Sequence, residues 1–213
     1  MNAKLNIVFW LGIILAQLSY ASEHNDAFTV LSALADPKFD AIFAERAKYD
    51  IHAEIAIFAK TYDGSQVPVD GYYVNITKKL DDAGYFTILR KMATAACTEH
   101  PRFADNQKYY AEKWETLWPI MAAVQFATPL CEYKVICLIN EKKCQEASEL
   151  LQGMCNARWF LFGYSKSLIK FCVIIRDKFA ITDEKLQGTL NRICALKPTV
   201  IPGNEANPSR EVE

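Results

Sequence analysis

Five large apolar residues, Tyr110, Trp114, Leu117, Met121 and Val124, recur at i, i+4, i+7, i+11 and i+14. That spacing puts all five on one stripe of an α-helix, whereas a strand would scatter them over both faces. Stripes of helical period run through most of the chain. Strand-like alternation is weak everywhere, and residues 66–74 are its one candidate. The expected fold is therefore all-α, a compact, disulfide-stapled bundle of about six to eight helices.

Capping residues and breakers divide the pattern into segments. Asp36-Pro37 reads as an N-cap followed by proline at the first helical position, opening a helix toward Tyr62. Tyr72 to Leu80 is short and ambiguous. Ala83 to Cys97 carries Phe86, Leu89, Ala93 and Ala96 on one face. Pro119 lies inside the cleanest stripe and should kink or split it. Thr128-Pro129 reads as the start of another helix, to about Ile139. Glu141 to Gln152 forms the next, with Gly153 as its stop. Asn156 to Phe179 is long and apolar. Thr182 is read as the cap of a last helix over Asp183 to Leu196, which Pro198 ends. No internal repeat is visible.

The first 21 residues read as an address. Lys4 supplies a positive start, Ile7 to Ala16 is an apolar run, and Ser19-Tyr20-Ala21 offers a cleavage site before Ser22. The run is short of the roughly 20 residues that cross a bilayer. The organisation expected is a signal peptide (1–21), one helical domain (22–198) and a loose tail (199–213). In the mature chain Met154 to Ile175 is read as the most apolar stretch. Arg158, Lys166 and Lys170 inside it argue against a transmembrane segment. The destination expected is extracellular. Asn75-Ile76-Thr77 is a glycan acceptor sequon, which places Asn75 on the surface.

Seven cysteines, Cys97, Cys131, Cys137, Cys144, Cys155, Cys172 and Cys194, all fall in the second half of the chain. In an oxidising compartment they are disulfide candidates. Zinc fails on spacing, because C-x-x-C and paired histidines are lacking. Cys144 and Cys155 would stand roughly 16 Å apart along a helix, and Cys131 and Cys137 roughly 9 Å apart, so neither pair bonds within itself. Cys172 and Cys194 sit on separate helices that a bond could join. The odd seventh thiol is buried and inert, bridges two chains as a disulfide-linked dimer, or is a reactive nucleophile. Cys97 is the most isolated in sequence. The spacing of Cys144 and Cys155 invites comparison with saposin-like lipid-binding domains, but their opening C-x-x-C is missing here.

Charge and motifs narrow the function. The chain has 24 basic and 25 acidic residues, a net charge of −1, so no basic field exists to displace counterions from a nucleic acid. His24, His52 and His100 have no orienting carboxylate at helical spacing or stand in loops. His52-Ala53-Glu54 matches half of a zinc-deaminase signature whose cysteine half is absent. No catalytic residue, metal site or cofactor is assigned. Aromatic residues around Pro119 are the most suggestive feature. They give Tyr110, Trp114, Leu117, Trp118, Met121 and Trp159 as ligand-pocket candidates. The function expected is extracellular binding to a protein or a cell surface, without catalysis. The alternative is a carrier holding a lipid or other small hydrophobic ligand in an inter-helix cavity of at least roughly 300 Å³.

Overall fold

The computed structural model describes residues 27–45, 72–95, 107–162 and 166–196, with the side chains of 72, 73 and 107–114 outside that description. The expected signal peptide, the tail, the three histidines, Cys97 and the far part of the helix expected toward Tyr62 all lie outside the described residues. Among those residues the chain is all-helical, with eight α-helices and no strand. They are α1 (Ala27–Ser32), α2 (Pro37–Ala44), α3 (Tyr72–Asp82), α4 (Tyr85–Lys91), α5 (Gln107–Asn140), α6 (Cys144–Phe162), α7 (Lys166–Lys178) and α8 (Glu184–Cys194). A 3-10 turn, Ala33–Ala35, joins α1 to α2. The ambiguous segment from Tyr72 is thus helical.

Local chemistry sets the ends. The Asp36 carboxylate accepts from the Lys38 backbone N–H at 3.0 Å, and Pro37 follows at the first helical position, as its sequence implies. The last helix begins one residue later than expected. Asp183, not Thr182, is its cap and accepts from the Leu186 N–H at 2.8 Å. Between α5 and α6 the chain turns on Lys142, whose φ of 61° is left-handed. The Lys143 N–H reaches the Leu138 carbonyl and the Lys142 N–H that of Ile139, so the two bonds close the end of α5 in a Schellman motif.

Three boundaries differ from the sequence reading. Neither Pro119 nor Pro129 ends a helix; both lie inside the 34-residue α5. Each proline frees the carbonyl four residues earlier, at Glu115 and Gln125. Both of those residues are exposed, so water can take up the freed acceptors. Gly153 is not a stop either, because α6 continues through it to Phe162. The long apolar segment after it is divided between α6 and α7.

The buried residues form one contiguous apolar cluster reaching from Ala27 to Ile193. Its centre is α6, which packs against α4, α5 and α8. Gly153 lies at the α4–α6 crossing, where an added Cβ would overlap the Leu89 carbonyl oxygen. One turn on, the Asn156 amide donates to the Met92 carbonyl at 2.8 Å and holds the end of α4. On the other side of the core Tyr85 is fully buried, with Phe39, Phe43 and Phe86 set edge-on around its ring. Its hydroxyl donates to the Ala123 carbonyl at 3.0 Å, so α4 is fastened to α5 as well.

The disulfide staples expected from sequence are not formed. Among the described residues Cys131, Cys137, Cys144, Cys155, Cys172 and Cys194 are free thiols. Cys131, Cys155 and Cys172 are buried as small apolar residues within the core cluster, and the helices cohere through apolar contact.

Candidate functional site

α5 carries most of the features singled out from sequence, and its geometry sorts them onto different faces. Leu117 and Met121 lie one turn apart and are buried in the core. Trp118 follows Leu117 by one residue, about 100° round the helix, and is 55% exposed. Trp159 lies on α6, partly buried against the core. Trp118 therefore points away from Leu117 and Met121, while Trp159 packs on the same core cluster as they do. The side chains of Tyr110 and Trp114 lie outside the described residues.

The outward face of α5 is the more distinctive one. Trp118 and Phe126, the latter 43% exposed, are the large apolar side chains turned to solvent among the described residues. Exposed Glu115, Thr116 and Gln125 stand around them. Two exposed aromatics on a rigid helix, bordered by polar groups, have the makeup of a small recognition surface.

α5 is also the long apolar helix of the chain. Glu115–Asn140, with a mean hydropathy of 1.3, is long and apolar enough to cross a membrane by length and composition. In this fold 61% of its apolar window is buried against neighbouring helices, as in the core helix of a globular bundle.

A polar insert interrupts the α5–α6 contact. Arg158 on α6 donates from Nη1 to the Thr128 hydroxyl at 2.7 Å and lies over the Phe162 ring at 5.6 Å. Its Nε is buried without a hydrogen-bond partner. Glu132 on α5, one turn beyond Thr128, is half-buried. Burial raises its carboxyl to about 7, with the Arg158 charge pulling the other way. The same desolvation lowers the Arg158 pKa, partly offset by Glu132. Sequence reading missed this pair as a pair. The signal available was a single carboxylate and a single guanidinium, each inside an otherwise apolar helical stretch.

Burial raises Cys131 and Cys172 well above the ordinary thiol range and Cys155 to about 11, so these three are protonated near neutral pH and shielded from reagents in solution. Cys194, at the end of α8, is the more open one, its rise by burial opposed by Arg176. No group of three or more potential ligands able to hold a metal occurs among the described residues. A cleft of about 130 Å³ lies between the end of α7 and α8, lined by Arg176, Phe179, Ile181, Gln187, Leu190 and Asn191. It is smaller than the roughly 300 Å³ of a typical ligand pocket and has a cation on its wall. The sequon residue Asn75 is exposed on α3, as expected, while Thr77 beneath it is buried.

A scan against protein-family models, a search of curated proteins and a search of solved structures found no match to this chain.

Proposed function

We propose that this chain is exported and acts outside the cell by binding another protein through the outward face of α5, without catalysing a reaction. The observation that carries the reading is the exposure of Trp118 and Phe126 on one long, well-anchored helix. Tryptophan is among the residues most enriched where interfaces concentrate their binding energy, and a rigid helix presents it at little entropic cost. Glu115 one turn before Trp118 favours a protein partner over an anionic membrane, which would repel the carboxylate. Export rests on the leader pattern of residues 1–21. It brings the chain into a compartment where Asn75 can carry a glycan and where the cysteines can oxidise.

The test is binding of the exported chain to intact cells. Protein recovered from the medium of a secreting host, with its N-terminus at Ser22, should bind saturably. The double variant Trp118→Ala, Phe126→Ala should bind at least about tenfold more weakly, since each lost anchor is worth on the order of 1–2 kcal/mol. Urea unfolding of parent and variant separates lost binding from lost fold. Equal binding by parent and variant would overturn the proposed surface. Retention of the chain inside the host would overturn the export.

A further inference from the structure

Cys172 and Cys194 lie on α7 and α8, two helices that pack against each other. The cleft at the open end of the α7–α8 hairpin sets its register. Arg176 of α7 shares the cleft wall with Leu190 and Asn191 of α8, and the helices run antiparallel through the short link at 179–183. Moving one turn along each helix away from the link leads from Arg176 to Cys172 and from Leu190 to Cys194. Gln187, Leu190, Asn191 and Cys194 follow the i, i+3, i+4, i+7 stripe of a single helix face. On α7, Cys172 stands at i−4 from Arg176 and belongs to its buried face with Leu168 and Ile175. The charge coupling between Cys172 and Cys194, and between Arg176 and Cys194, agrees with that register.

The spacing suits a bond. Helix axes packed about 9–10 Å apart, each with Cα atoms at a radius of about 2.3 Å, bring facing Cα atoms to about 4.4–5.4 Å, inside the roughly 4.4–6.8 Å window of a disulfide. Cys155 of α6 is also coupled to Cys172, so the core offers Cys172 a second partner. The surface decides between them. Cys194 is partly exposed, whereas Cys155 is 4% exposed and Cys172 is fully buried.

We propose that Cys172 and Cys194 form a thiol-exchange pair that closes the α7–α8 hairpin with a disulfide, Cys194 being the thiol that reacts first. This names the bond within the oxidising-compartment reading above and rests on that reading. A low-molecular-weight disulfide such as oxidised glutathione supplies the oxidising equivalents. The Cys194 thiolate attacks one glutathione sulfur, forming a mixed disulfide and releasing one glutathione thiolate. Cys172 then attacks the Cys194 sulfur, giving up its proton, and the second glutathione leaves as a thiol. Two protein thiols are oxidised and one glutathione disulfide is reduced to two thiols. Burial and Asp177 raise the Cys194 thiol and Arg176 opposes them, so accessibility, not acidity, makes Cys194 the first to react.

The experiment equilibrates the purified mature chain with oxidised and reduced glutathione, blocks the remaining thiols with an alkylating reagent, and maps linked peptides by mass spectrometry. The expected result is a Cys172–Cys194 link with Cys155 still alkylated, and in Cys172→Ala a glutathione adduct on Cys194. If Cys172→Ala fails to fold, the wild-type map alone decides. A link between Cys155 and Cys172, or Cys194 joined elsewhere, overturns this pair while leaving disulfide formation standing. Full alkylation of every thiol overturns both.

Discussion

Gly153 of α6 lies directly beneath the backbone of Leu89 in α4: a Cβ at position 153 would overlap the Leu89 carbonyl oxygen and stand 2.8 Å from its carbon. The obstacle is backbone, which cannot swing aside like a side-chain tip. Gly153→Ala therefore has to push α4 off α6, straining the Asn156 bond to Met92 one turn further on. The usual gain of alanine over glycine inside a helix, about 1 kcal/mol, is outweighed. The variant should lose about 3 kcal/mol, at the upper end of overpacking effects. Urea unfolding of parent and variant measures it, and a variant as stable as the parent would refute the close crossing.

That crossing also shows where the sequence was misleading. Gly153 ends an amphipathic run and so resembles a helix stop, but the reason for glycine there is a neighbour more than sixty residues earlier in the chain. Pro119 and Pro129 misled in the same way. A proline's cost depends on whether the carbonyl it frees meets water, and the exposure of Glu115 and Gln125 is a tertiary fact. Features with local causes were legible: helical period, the Asp36 cap with Pro37, and the inward Leu117 and Met121. Pairings such as Glu132 with Arg158 were not, because period alone places each residue on its own helix without naming the helix opposite. Trp118 parts from Leu117 and Met121 for a related reason. Trp118 and Leu117 are neighbours in sequence, yet consecutive residues of a helix point about 100° apart, so one meets solvent and the other the core.

Thr77 joins a folding cost to a sequence signal. Its hydroxyl is buried on α3 without a hydrogen-bond partner, a cost that a methyl group of the same size would remove. In protein made without glycans, Thr77→Val should raise stability by about 1 kcal/mol, read as a higher urea midpoint with an unchanged slope. The same substitution destroys the Asn75 sequon. In a glycosylating host it should also abolish any glycan at Asn75, whereas Thr77→Ser should preserve the acceptor. Because the native hydroxyl is packed away, a transferase that reads it must act before α3 docks. A loss of stability in Thr77→Val would show that the hydroxyl is satisfied after all.

Glu132 should make the stability of the whole bundle depend on pH in the direction opposite to ordinary acid denaturation. Its carboxyl moves from 4.5 in the unfolded chain to about 7 in the fold, with burial as the first cause. Between those values the folded state holds a proton that the unfolded state has released, so the unfolding free energy falls as pH rises. The contribution is fully present below about pH 4.5 and is lost as pH passes through about 7. The full shift would be worth more, but partial exposure reduces the expected change to on the order of 2 kcal/mol. Surface pairs such as Lys134 with Asp81, 2.6 Å apart, are common to parent and variant. The difference between the parent and Glu132→Gln isolates the term, because the amide keeps the shape and cannot ionise. Urea midpoints taken at about pH 5 and about pH 8 should fall in the parent and stay nearly level in Glu132→Gln. Parallel slopes in the two proteins would mean that Glu132 is ionised throughout, its charge held by Arg158 across the α5–α6 contact.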